Sequence, residues 1–394
     1  MPDSAEKTNP SLTRRRLLGL LMGSAAALMP LARTGTPAPP APSMESLLEP
    51  LRRQYDLPAL AAAVIVAGRT AAEGAVGVRK YGSDVPVTVA DQFHLGSCTK
   101  ALTATLCGMQ VEHGRLGWDT ALPQVFPDVE MQPAYRKVTL DHLLAHRSGF
   151  SSESWPQGKT FLDMDALPGS PREQRAAYVR MILREKPVAA PGAQFVYSNR
   201  NYAVAGALLE RIVGVAWEEL LRQRLFRPLG MRSGGFGAMG TPGRIDQPWQ
   251  HTVVDGKHQP IGPGPLSDNP SVIAPAGTVH CAVGDWAKFV ALHLQGEQGT
   301  SRLLQPRTLR RLHAPQFGGD YAGGWLVTDR PWGGGRVLTH AGSNTQNYAV
   351  VWMAPLDDFA VLVATNQGGA RAAQATDAAA ATLIRHFLDK PRLP

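Results

Sequence analysis

The chain is poor in cysteine, with three in 394 residues: Cys98, Cys107 and Cys281. An odd, small number excludes a disulfide framework. Cys98 and Cys107 fall on one expected helix, too far apart to bridge. No spacing of Cys and His matches a zinc site, so all three thiols read as small, buried, apolar filler. Also missing is any block of Lys and Arg interleaved with aromatics. The formal charge is +8. The basic residues are scattered and often sit beside acids, as in Arg172-Glu173 and Arg184-Glu185-Lys186. That is a solvated surface, and it argues against nucleic acid as a partner. No internal repeat is visible. The apolar run from Leu17 to about Leu31 is short and rich in Gly, Ser and Ala, which excludes a comfortable membrane span.

What is present begins with that run. Arg14-Arg15-Arg16 precede it, and Thr36-Pro37-Ala38-Pro39-Pro40-Ala41-Pro42-Ser43 follows. A charged start, a short apolar stretch and a small-residue exit predict an export leader over residues 1–43. The paired arginines make it twin-arginine-type, which implies a periplasmic or secreted protein. Cleavage near Ala25-Ala26-Ala27 or near Ala32 fits equally, and an uncleaved N-terminal anchor is the rival reading. No stable membrane span is expected once the leader is removed.

The whole sequence is 44% hydrophobic and 18% charged, an ordinary globular composition, and residues 44–390 are read as one domain. Met44–Asp56 has helical periodicity. Ala59–Ala67 and Thr70–Val78 read as a hairpin about Gly68. Helices are expected over Ser97–His113, from a Thr139 cap to His146, and over Arg172–Lys186, Arg200–Val213, Ala216–Phe226, Cys281–Leu294 and Leu304–His313. Residues 230–280 are rich in Gly and Pro and read as loops. Strands are expected at Gly324–Thr328, Arg336–His340, Asn347–Met353 and Phe359–Asn366, with a closing helix at Ala370–Leu388. Strands at both ends and helices between predict an α+β fold. The sheet lobe takes about 44–90 and 320–390, and a mostly helical lobe, about 91–319, is inserted between them.

Ser97-Cys98-Thr99-Lys100 carries the chemistry. Positions i and i+3 share one helix face, so the Lys100 amine can reach the Ser97 hydroxyl. A lysine can deprotonate a serine only if its own pKa falls from about 10.4, through burial or a second cation. Tyr197-Ser198-Asn199 and His340-Ala341-Gly342 follow in order. The phenol of Tyr197 can relay a proton, and the amide of Asn199 can donate and accept. Which of Lys100 and Tyr197 is the base stays open. His142 and His146 stand at a metal-pair spacing, but no third ligand accompanies them, so no metal or other cofactor is expected. His146 reads as a helix-end structural residue, and His94 is assigned no role.

These three motifs, with Leu143-Leu144-Ala145-His146-Arg147-Ser148-Gly149 and Pro275-Ala276-Gly277, resemble the serine β-lactamase and penicillin-recognising peptidase family, its class C and DD-peptidase/esterase branch in particular. The resemblance spans about Met44 to Leu388. It implies a β-lactamase/transpeptidase-like fold, with an antiparallel sheet flanked by helices. It makes Ser97 the nucleophile of an acyl-enzyme, with Lys100 and Tyr197 catalytic and Asn199, His340 and Gly342 binding substrate. The backbone N–H groups of Ser97 and Ser343 would form the oxyanion hole.

One departure matters. Many members carry Lys-Thr-Gly where this chain has His340-Ala341-Gly342. A permanent cation and a hydroxyl donor are lost, which weakens the grip on a substrate carboxylate. The reading is therefore a serine hydrolase of a small-molecule, peptide or ester substrate, closer to a peptidase, amidase or esterase than to an efficient β-lactamase. A catalytically weak penicillin- or muropeptide-binding protein, a β-lactamase, and acyl transfer to an acceptor other than water remain the alternatives.

Overall fold

The computed structural model describes residues 42–388. The leader read over residues 1–43 lies outside them, apart from Pro42 and Ser43. Ser43 caps the first helix by accepting the Ser46 N–H at 3.2 Å. In chain order, α1 (Met44–Gln54), β1 (Ala59–Val66), β2 (Arg69–Gly77) and β3 (Phe93–His94) lead to α2 (Thr99–Glu112). The middle of the chain holds α3 (Leu122–Val125), α4 (Leu140–Leu144), α5 (Phe161–Asp165), α6 (Pro171–Ile182), α7 (Asn199–Val213), α8 (Trp217–Leu221) and α9 (Arg227–Leu229). Then come β4 (Gly235–Phe236), β5 (Gln250–Val254), β6 (Lys257–Ile261), α10 (Ala274–Gly277), β7 (Val279–Cys281), α11 (Val283–Glu297) and α12 (Pro306–Leu312). The chain closes with β8 (Tyr321–Ala322), β9 (Trp325–Arg330), β10 (Gly335–Gly342), β11 (Tyr348–Ala354), β12 (Phe359–Thr365) and α13 (Ala370–Leu388).

The main sheet has seven strands in the order β2-β1-β12-β11-β10-β9-β8. Every pair is antiparallel, and β1 from one end of the domain pairs β12 from the other. Side chains alternate across it as the pleat requires. Ala61, Ala63, Ile65, Val351, Leu362 and Ala364 face the helical lobe, in one core with α2, α7 and α11. Leu60, Ala62, Val64, Val350, Val361 and Val363 face the other way and pack with α1 and α13. With both faces covered, β1 and β12 read as unbroken apolar runs rather than alternating ones. This is the expected α+β architecture, a β-lactamase/transpeptidase-like sheet between helical layers.

The structure differs locally from the sequence reading at four places. The helix expected from Ser97 starts as a 3-10 turn at Gly96–Cys98, and α proper begins at Thr99. The helix read to Lys186 ends at Ile182. Cys281 ends β7 instead of opening a helix. The Gly/Pro-rich stretch 230–280 is not all loop: it holds β4, β7 and the β5–β6 hairpin. Asp255 and Gly256 turn that hairpin with φ of 49° and 75°, the left-handed pair that an Asp-Gly turn supplies.

Candidate functional site

Ser97 and Lys100 stand where the sheet meets the helical lobe. Every residue of α2 from Thr99 to Gln110 is buried, so this helix is fixed by packing on all sides. The turn before it is locked against β10. Gly96 has φ +49°, and a Cβ there would lie 2.2 Å from the Ser343 nitrogen. A Cβ on Gly342 would lie 2.0 Å from the Leu95 oxygen and 2.6 Å from the Ser97 nitrogen. Glycine at both places lets two backbones touch, which brings the backbone at Ser97 close to that at Ser343.

Lys100 is 0% exposed. Its Nζ lies 3.0 Å from Ser97 Oγ, 2.8 Å from Asn199 Oδ1 and 2.8 Å from the Ala276 carbonyl. No carboxylate pairs with it among the described residues, and burial pulls its pKa down to about 7. A neutral amine has two N–H bonds. Asn199 Oδ1 and Ala276 O can take both, leaving the lone pair for the Ser97 hydroxyl. The Tyr197 ring lies beneath, 4.8 Å from Nζ. Burial raises the Tyr197 pKa, so the phenol keeps its proton, and the neighbouring Ser97 hydroxyl opposes that rise only in part.

Tyr197 is held from both sides by one residue. His146, at φ +55°, accepts the Val196 N–H on its carbonyl at 2.9 Å and the Ser198 N–H on Nδ1 at 3.2 Å. Its ring lies 4.5 Å from the Tyr197 ring. Burial holds His146 well below the usual imidazole range, so it sits neutral beneath the phenol. His142 is elsewhere, accepting the Thr139 N–H at 3.2 Å, and among the described residues no group of three His, Cys, Asp or Glu could hold a metal.

The expected substrate-binding side chains are present but engaged within the protein. Asn199 gives its oxygen to Lys100 and donates Nδ2–H to Ser154 Oγ at 3.0 Å. His340 donates Nδ1–H to the Ala341 carbonyl at 2.6 Å and accepts the Tyr321 hydroxyl on Nε2 at 3.0 Å. Burial and the nearby Lys100 lower its pKa to about 4, so the ring is neutral. His340 therefore orders the site rather than offering a cation.

Three further residues act on the site: Tyr321 and Gln250, to which the sequence did not point, and His94, to which it gave no role. Tyr321 holds His340. His94 accepts the Gly96 N–H on Nδ1 at 3.0 Å, and its Nε2 faces Asp268 Oδ1 at 2.8 Å, so this pair braces the turn that carries Ser97. Gln250 accepts Asn344 Nδ2–H at 2.6 Å and fixes the loop that begins at Ser343. Tyr321, Asp268 and Gln250 come from distant parts of the chain and left no local signal.

The beta-lactamase family model matches residues 44–384. The chain belongs to that family. It is a serine hydrolase with the family's fold. It is 28% identical over 336 residues to penicillin-binding protein 4 of Amycolatopsis lactamdurans, across 81% of this chain and 83% of that one. It is 25% identical over 318 residues to an unguisins hydrolase of Aspergillus campestris, across 77% of this chain and 57% of the relative. Among solved structures, the octameric penicillin-binding protein homologue from Pyrococcus abyssi superposes with a TM-score of 0.72 at 24% identity, over 88% of this chain and 77% of that one.

Proposed function

We propose that the protein cleaves an amide or ester through an acyl-enzyme on Ser97. The observation that carries this is a buried lysine 3.0 Å from the Ser97 oxygen, with a pKa near 7 and no carboxylate to keep it charged. The neutral Lys100 amine takes the Ser97 proton as Oγ bonds to the substrate carbonyl carbon. The carbonyl oxygen becomes an oxyanion between the Ser97 and Ser343 N–H groups; one such donor supplies about 2.7–4 kcal/mol of barrier lowering. Tyr197 then donates its O–H to the departing nitrogen or oxygen and is reprotonated by the Lys100 ammonium. Water enters by the same steps reversed and frees Ser97. Asn199 aims the lysine, and the pair Lys100–Tyr197 titrates as a unit.

The substrate is argued from what the third motif lacks. The His340 ring is neutral, and Ala341 offers no hydroxyl, so a β-lactam carboxylate has no partner there. That favours a peptidase, amidase or esterase over an efficient β-lactamase, in line with a relative named as a hydrolase of unguisins. Export by the twin-arginine-type leader of residues 1–43 is part of the same proposal.

Intact-mass spectrometry tests this. Incubation with a fluorophosphonate should add one adduct on Ser97, and Ser97→Ala should abolish it. An adduct that persists in the variant sinks the reading. The same spectrum of the exported protein gives its N-terminus. Turnover of simple esters and D-amino-acid amides should exceed turnover of nitrocefin, and products formed with added alcohols or amines separate hydrolysis from acyl transfer.

A further inference from the structure

The β9–β10 ladder ends at Thr339 opposite Leu326. Over the edge of β10 beyond that point runs a groove of about 500 Å³. It begins at Tyr197 and His340, passes Ala341, and continues across the outer face of β11 to α13. Its floor is Tyr348, Val350 and Trp352, and its far wall is the small Ala373 and the buried Thr376.

Two features define what it accepts. Large apolar groups at its mouth are left in water: Phe195 is 40%, Tyr197 37% and Leu326 37% exposed. Exposed apolar surface that is contiguous with a reactive centre gains by covering an apolar ligand. The second feature is charge. No Lys or Arg lines the groove, and its one carboxylate is Asp377 on α13. Arg330 stacks over the Trp352 ring at 5.4 Å and is held by Thr328 Oγ1 and the Asp329 carbonyl. The imidazole of His340 is spent on Tyr321 and Ala341. Ala341 puts only a methyl group into the groove next to His340.

We propose that this groove is the subsite for a bulky, uncharged apolar group of the substrate, an aromatic or branched aliphatic chain carried on the ester or amide that Ser97 attacks. The proposal rests on the acyl-enzyme reading above. It names that site's preference: neutral acyl donors with a large apolar substituent, over small or anionic ones.

Two ester series test it. One varies the acyl group from acetyl to 3-phenylpropionyl and to the anionic glutaryl, on a constant p-nitrophenyl leaving group. The other varies the alcohol from methyl to phenethyl on a constant acetyl group. In at least one series kcat/KM should rise tenfold or more from the smallest to the aromatic member, and glutaryl should show no such gain. Apolar pockets discriminate by about 10–200-fold on this scale. Ala373→Trp fills the far wall and should lower the large-to-small ratio at least tenfold. Ala373→Leu, a milder filling, should lower it in the same direction and stands in if the tryptophan variant does not fold. Flat series, a preference for glutaryl, or equal losses for small and large members in the variants overturn the subsite. Fluorophosphonate labelling of Ser97 is read in the same samples. If labelling is intact while selectivity is unchanged by Ala373 variants, the subsite falls and the acyl-enzyme stands. If Ser97 is not labelled, both fall.

Discussion

Lys100 makes a direct contact with the hydroxyl it is proposed to deprotonate, and its proton affinity is set by the absence of water and of acids around it. With a pKa of about 7, the amine is charged in acid and free in base. The proposed role therefore predicts that kcat/KM climbs with pH through about 7 and levels above it. Lys100→Arg should abolish that limb along with most activity, since a guanidinium stays protonated. Stability follows the same group. The folded pKa lies below the unfolded value of 10.5, so between the two the unfolded chain holds a proton that the fold does not. Stability then rises with pH across that window. Relative to Lys100→Met, the wild type should gain about 2–3 kcal/mol from pH 6 to pH 9, at 1.36 kcal/mol per pH step above the folded pKa. Urea midpoints at both pH values measure it, and a constant difference refutes it. The Ser97–Lys100 contact was legible because helical spacing alone brings i and i+3 together. Tyr197 was legible by its order in the chain. His94 with Asp268, and His340 with Tyr321, were not: each pair forms across strands and loops that no local pattern relates. Asn199 was legible as an amide, but its lysine partner comes from another helix.

Among elements, the joint between the turn at Gly96–Cys98 and the end of β10 matters most. Gly342→Ala would drive a Cβ into the Leu95 carbonyl and the Ser97 nitrogen. Overpacking of this kind costs about 1–3 kcal/mol. Because the clash falls on the backbone that carries both proposed oxyanion donors, kcat should fall about 100-fold or more while the protein still melts cooperatively. A variant with unchanged kcat would show that the two donors are not set by this joint. The β5–β6 hairpin supports the same joint from outside, through Gln250 and through the His251 N–H that donates to the Gln346 carbonyl at 3.2 Å. Its Asp255-Gly256 turn was a readable signal. It was masked by a Pro/Gly-rich setting and by strands of five residues, one of them containing Pro260. Long periodic helices and doubly covered strands were plain in the sequence because burial writes a pattern into them; two-residue strands such as β3 and β4 write none.

At the scale of the molecule, the helical lobe is tied together by charge as well as packing. Arg175 is fully buried and reaches Glu218 at 2.7 Å, Glu210 at 3.4 Å and the Ser271 carbonyl at 3.0 Å. It thereby joins α6 to α7, to α8 and to the segment that leads into α10, where Ala276 faces Lys100. Arg175→Ala would leave the buried Glu210 and the part-buried Glu218 without their cation, at a cost of about 3–5 kcal/mol. A loss under 1 kcal/mol in denaturant unfolding would contradict this. The largest feature is the sheet, in which β1 pairs β12. Ser97 lies early in the chain and Ser343 late, so the reactive centre exists only after the two ends of the domain have met. Contacts of such separation form slowly. On the proposed mechanism, a chain still emerging from the ribosome, or one stalled with its sheet unclosed, should be chemically silent. Covalent labelling of Ser97 can then serve as a stopwatch for the last step of folding, read out as a yield of adduct against time after dilution from denaturant.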